Sequence, residues 1–214
     1  MNTDTSKAGM IHNDISSGAA SDPSCACLSK DKDFCRALPG QAIVMTKWIG
    51  IYGSVRIAEK CRDELRSRYP DFIMENAVEL KQFLSIDADI RIADEHGDGC
   101  IYACTDGGLY AALWDMARES DVGLTAYFRD IPVRQETVEL CEFYDINPYK
   151  LKSDGALIVV TSAPDELTAA YTDAGIPSAV IGHITEDKEK VIIYGDEKKH
   201  IQKPARDELC KILW

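Results

Sequence analysis

The chain has 214 residues, of which 45% are hydrophobic and 28% charged, with a formal net charge of −12. That length and apolar content suffice for one cored domain with some chain left over, and the negative balance argues against nucleic acid or an anionic membrane as partners. No apolar run is long enough to span a bilayer, and the polar start Met1-Asn2-Thr3-Asp4 lacks the apolar centre of a signal peptide, so a cytoplasmic location with no membrane partner is expected.

Residues 1–38 are rich in Ser, Ala, Asp, Gly and Lys without an apolar period and read as a flexible tail that Pro39-Gly40 closes; residues 39–214 read as the domain. Residues 42–46 form an apolar run that predicts a buried strand. A helix over 52–68 follows, with Val55, Ile57, Ala58, Cys61 and Leu65 on one side, and Tyr69-Pro70 ends it. The next helix starts near Asp71 as N-cap and turns Phe72, Ile73, Ala77, Leu80 and Leu84 inward, and a shorter one covers 87–95. A strand over 100–104, a helix over 108–119 and an alternating strand over 122–128 come next. The pattern continues with a helix over 134–144, a buried strand over 156–161, and a helix over 164–174 that opens on proline and closes at Gly175. Strands over 179–184 and 190–194 read as the final pair. Strands and helices mixed in this order predict a layered α/β or α+β domain, and no internal repeat is visible.

Eight cysteines are present, but without a secretion signal they do not suggest disulfides. Cys25-Ala26-Cys27 with Cys35 lacks the paired C-x₂-C units and nearby histidine of a zinc site, so no metal site is expected. Cys61, Cys100, Cys104 and Cys141 sit in apolar settings, where a thiol behaves as a small hydrophobe. His96, His183 and His200 form no recognisable dyad and read as structural or solvent-facing, and no catalytic residue is assigned.

Thr105-Asp106-Gly107-Gly108 stands between a predicted strand and a predicted helix. Backbone N–H groups exposed there suit a phosphate or another small anion, while glycines also serve plain tight turns, and both readings stay open. Gly50-Ile51-Tyr52-Gly53-Ser54 repeats the arrangement: Gly50 and Gly53 present N–H donors and the Ser54 hydroxyl assists, or the stretch is only a strand-to-helix connection with a capping serine. Lys47, at the end of the first strand, reaches toward a phosphate or lies at a solvated rim. The candidate ligand-binding set is therefore Lys47, Gly50, Gly53, Ser54, Thr105, Asp106, Gly107 and Gly108.

The ordered segments Ile43-Val44-Met45-Thr46-Lys47-Trp48-Ile49-Gly50, Thr105-Asp106-Gly107-Gly108, Ile131-Pro132-Val133-Arg134-Gln135-Glu136-Thr137 and Ile146-Asn147-Pro148-Tyr149 resemble the C-terminal domain of aminoimidazole ribonucleotide (AIR) synthetase-related proteins, nearest to the hydrogenase maturation branch. The resemblance runs from about Pro39 to the C-terminus. It implies a three-layer mixed sheet with helices and a site that meets an N-terminal ATP-binding domain, whose magnesium and phosphate motifs residues 1–38 are too short to supply. ATP and Mg are therefore expected only with a partner domain, and no cofactor on the domain's own. His12-Asn13-Asp14-Ile15-Ser16-Ser17-Gly18-Ala19 resembles a scrap of such a motif, in which Asp14 would have held metal. Tyr52 and Ala103 stand where the family carries acidic residues, which weakens catalysis but leaves backbone anion binding intact. Cys210 lies near the end, as does the carbamoyl-accepting cysteine of the carbamoyl-dehydrating proteins, but four residues follow it and incidental packing is expected. The resemblance thus implies a truncated nucleotide- or phosphate-binding domain that is not catalytic alone. Its alternatives are the substrate half of an ATP-dependent phosphorylating or dehydrating maturation enzyme completed by a partner chain, or a degenerate interaction module. A homologue of the N-terminal domain or a second copy is the expected protein partner.

Overall fold

The computed structural model describes residues 27–29 and 36–213. The elements are β1 (Ala42–Thr46), α1 (Ile51–Lys60), α2 (Arg62–Leu65), α3 (Asp71–Glu79), α4 (Asp87–His96), β2 (Ile101–Ala103), α5 (Gly108–Ser120), β3 (Gly123–Tyr127), α6 (Gln135–Phe143), β4 (Leu157–Thr161), α7 (Pro164–Asp173), β5 (Ser178–Thr185), β6 (Lys190–Tyr194), β7 (Glu197–His200) and α8 (Cys210–Leu213). Short 3₁₀ turns at Leu80–Phe83, Phe128–Asp130 and Pro148–Lys150 punctuate them.

The strands form one seven-stranded mixed sheet in the order β2-β4-β1-β5-β3-β6-β7. Only β3 and β6 pair in parallel; the other neighbours are antiparallel. β1 lies between β4 and β5 and is covered on both faces, which explains its unbroken apolar sequence. Ile43 and Met45 point into a core with Leu109, Ala112, Leu113 and Met116 of α5, while Val44 points the other way, toward Ile92 of α4 and Leu167 and Tyr171 of α7. Helices on both faces give the expected three-layer α/β architecture. A further cluster, built from α1, α2, α3 and α6 with the segments around residues 151 and 209, gathers Ile57, Leu65, Met74, Leu140, Leu151 and Leu209.

The structure departs from the sequence expectations in several places. The single helix over 52–68 is two, because the backbone at Cys61 (φ −114°, ψ 20°) leaves the helical region. Asp71 does not cap α3: Pro70 holds that position, and the Asp71 carboxylate instead accepts from Arg66 Nε at 2.9 Å, which holds its pKa below the ordinary value. Phe72, expected inside, is 56% exposed. β7, with sequence Glu197-Lys198-Lys199-His200, was not foreseen; it is an edge strand with every residue exposed, and its charges blunt an edge that would otherwise invite pairing.

The opposite edge is partly covered. Cys27 bridges Tyr102 and the Leu28 N–H donates to the Ile101 carbonyl at 2.7 Å, so residues assigned to the tail run along β2. Cys27 is also disulfide-bonded, which the sequence did not suggest. The His12–Ala19 stretch, with Asp14, lies outside the described residues.

Candidate functional site

β2 delivers the chain to Cys104, and the turn to α5 is made by two consecutive left-handed glycines, Gly107 (φ 78°) and Gly108 (φ 61°). Gly108 has a second constraint. A Cβ there would lie 2.5 Å from the Leu151 carbonyl oxygen and 2.9 Å from that of Tyr149, so the loop over residues 147–155 passes directly beneath the turn. α5 then runs thirteen residues with nine of them buried.

The same loop also reaches the first glycine stretch. Ser153 accepts from the Gly50 N–H at 2.7 Å through its Oγ, and its own N–H donates to the Thr105 carbonyl at 3.4 Å. The Gly53 N–H donates to the Lys152 carbonyl at 2.9 Å, and a Cβ at Gly53 would fall 2.3 Å from Leu151 Cγ. Gly50, Gly53, Thr105 and Gly108 therefore converge on Leu151-Lys152-Ser153, although the two stretches lie more than fifty residues apart in sequence.

Two of the candidate residues stand apart. The Lys47 ammonium is buried and spends its three donors on Asp89 Oδ2 (2.9 Å), the Ser85 carbonyl (2.7 Å) and the Gly155 carbonyl (3.0 Å). The physical reason is that an ammonium only 4% exposed must be paired, and Asp89, itself 1% exposed, pairs it, so Lys47 is neither at a rim nor directed at the turn. Ser54 neither caps α1 nor faces a ligand; fully buried, its hydroxyl donates to Thr137 Oγ1 at 2.8 Å.

The donors of the turn are also engaged. The Gly108 N–H donates to the Thr105 carbonyl at 3.0 Å. The Gly107 N–H donates at 2.6 Å to Asp207 Oδ2, from the C-terminal segment, and Asp207 Oδ1 accepts from the Leu209 N–H at 2.8 Å. No side chain caps α5 in the usual sense, and a carboxylate from a hundred residues away takes that role. Asp106 is exposed and pairs with Lys152 Nζ at 2.6 Å; Lys152 also stands 3.8 Å from Asp154 and over the Tyr52 ring at 5.5 Å. Lys152 and Asp207 thus complete the site, and the sequence reading missed both. No local motif marks Lys152, and Asp207 becomes part of the site only through the long return of the chain.

Burial pushes the Asp154 and Asp207 carboxyls above the ordinary value, against the lowering influence of Lys152 on the first and of the Leu209 and Gly107 N–H groups on the second. For Asp154 the consequence is testable. One of its oxygens is buried without a hydrogen-bond partner. A carboxyl whose folded pKa is raised stabilises the fold fully below its unfolded pKa, and that contribution is lost as pH rises through the folded pKa. Asp154→Asn should therefore raise the Tm at neutral pH and leave it unchanged in acid below the carboxylate range, read by thermal melts across pH; a variant less stable at neutral pH would contradict this.

Among the described residues no group of three or more His, Cys, Asp or Glu side chains is placed to hold a metal ion. A hollow of about 360 Å³ lined by Tyr127, Arg129, Asp130, Ile193, Gly195 and Asp196 includes none of the turn residues. Cys210 opens α8 as a free, half-buried thiol, and Ile212 and Leu213 pack on the cluster around Leu209.

A mixed sheet with helices on both faces, and a glycine turn opening α5, define an AIR synthase-type α/β domain. The family described as AIR synthase related protein, C-terminal domain, matches residues 39–195, and the chain belongs to it. It is similar to the carbamoyl dehydratase HypE of Rhizobium leguminosarum bv. viciae, at 26% identity over 155 residues, covering 71% of this chain and 42% of that protein. It is also 31% identical over 99 residues to the carbamoyl dehydratase HypE of Azotobacter vinelandii, covering 44% of this chain and 28% of that one. In fold it is similar to E. coli HypE, a hydrogenase maturation protein (TM-score 0.65, 17% identity, 81% of this chain and 52% of that one). A HypE crystallised with ATP has a TM-score of 0.59 at 21% identity over 81% of this chain and 53% of its own. The chain thus spans about half the length of its solved relatives and less than half of the curated ones.

Proposed function

We propose that this domain binds the phosphate of a nucleotide, or another small anion, at the Thr105-Asp106-Gly107-Gly108 turn, and that it does not catalyse alone. One observation carries the reading: the N-terminus of α5 already holds an anion, the Asp207 carboxylate, on the Gly107 N–H at 2.6 Å. Lys152 beside it supplies the positive charge that Lys47, paired with Asp89 in the core, does not. The ATP-bound relative favours a nucleotide over other anions. Phosphorylating or dehydrating chemistry is proposed only for an assembly in which an N-terminal ATP-binding domain, with magnesium, faces this one.

Calorimetric titration of the chain with ATP, with and without magnesium, tests the reading. Wild type should bind saturably, and Lys152→Ala should weaken binding by about tenfold or more, the loss expected of one charge-assisted contact. Thermal melts of the variant confirm that it remains folded, because Lys152 is paired at the surface rather than packed in the core. Equal affinities in two folded proteins would remove Lys152 from the site.

A further inference from the structure

The C-terminal segment crosses the candidate site without belonging to the sheet. From Gln202 to Arg206 it has no regular structure, and it is held at a few points. Lys203 Nζ grips the buried Asp115 of α5 at 2.7 and 3.0 Å. Pro204 lies over Gly107, where a glycine Cβ would come within 3.4 Å of it. Asp207 caps the turn, the Glu208 N–H donates to the Lys150 carbonyl at 3.3 Å, and Leu209 is buried in the cluster on which Ile212 and Leu213 also pack.

We propose that the segment from Lys203 to Leu213 is an internal strap whose Asp207 carboxylate stands in for the anionic group of the ligand, so that the ligand binds only when the strap lifts. The inference rests on the reading that this turn binds an anion. The strap blocks such an anion in two ways. It consumes the Gly107 N–H, and it places a third carboxylate beside Asp106 and Asp154 around the single ammonium of Lys152. Departure of Asp207 frees the donor and removes one negative charge together. A terminal segment outside the sheet, held by polar contacts at Lys203, Asp207 and Glu208 and by the packing of Leu209, Ile212 and Leu213, opens at a fraction of the cost of global unfolding. The two states then compete, and the apparent affinity falls by the fraction of molecules with the strap lifted.

The test uses the full chain with ATP as the probe. Asp207→Asn keeps the shape but removes the charge, and Lys203→Ala cuts a different anchor without touching the turn. Each should tighten ATP binding by about tenfold, as expected when a state populated about one part in ten becomes the resting state. A merely structural role would weaken binding or leave it unchanged. Saturating ATP should also speed tryptic cleavage after Arg206 in the wild type. If wild type and both variants bind ATP equally, the strap is refuted and the site stands. If none of the three binds, the site reading and the strap fall together.

Discussion

Gly108→Ala should cost about 3 kcal/mol or more of stability, enough to leave much of a marginally stable domain unfolded. Two penalties add at this position. A left-handed backbone costs an alanine roughly 1–2 kcal/mol. The new methyl would also meet two backbone carbonyl oxygens, 2.5 and 2.9 Å away, and backbone cannot swing aside as a side chain can. Gly175 gives the comparison, because its φ is also positive, at 72°, but a Cβ there meets nothing within 4 Å. Gly175→Ala should therefore show the conformational penalty alone. Urea denaturation of the two variants measures the difference, and equal losses would show that the loop over residues 147–155 does not press on the turn.

Lys47→Ala should be comparably damaging, at about 3–5 kcal/mol, because it leaves the Asp89 carboxylate buried without its counter-charge. One Asp89 oxygen has no hydrogen-bond partner even with Lys47 in place, so no reserve contact takes over. Replacing both partners with apolar residues, as in Lys47→Met with Asp89→Leu, should recover most of the loss, since a buried ion pair is worth little beyond its own desolvation. The same variants separate two roles for Lys47. A stable Lys47→Ala protein that has lost ATP binding would return Lys47 to the ligand and overturn its place in the core.

The contrast between Lys47 and the glycines shows which parts of this molecule a sequence can reveal. Local constraints were legible. β1 has the bounds expected from its apolar run, α5 starts at Gly108, and Gly175 follows α7, because each depends on neighbouring residues alone. Distant partners were not legible. Lys47 meets Asp89 forty-two residues on, and Gly107 meets Asp207 a hundred residues on, with no periodicity linking either pair. β7 escaped because an edge strand of four exposed polar residues has no apolar alternation to show. Phe72 was placed inside because an aromatic at helical spacing usually is; α3 instead buries Ile73, Met74 and Ala77 and turns Phe72 outward. The family resemblance pointed to the glycine turn as the candidate site, but it did not show that the turn's donors are met from within the chain.

That internal satisfaction shapes the functional account. Asp207 and Lys152 turn a plain glycine turn into an electrostatic centre with one ammonium and three carboxylates near it. An incoming phosphate gains a helix N-terminus and the Lys152 charge only by displacing a carboxylate that already has both nearby. The proposed reading therefore predicts a modest affinity for the isolated domain, strengthened where a facing domain supplies magnesium to neutralise the added negative charge.

The most direct measurement is a nuclear magnetic resonance titration of the nitrogen-15-labelled chain with ATP, following the backbone amides individually. The account predicts saturable shifts centred on the Gly107, Gly108 and Leu109 amides at the start of α5, with accompanying changes at Lys152 and Leu209 as Asp207 gives way. Shifts confined to other parts of the domain, or no saturable shift at any amide, would contradict the assignment of an anion site to this turn.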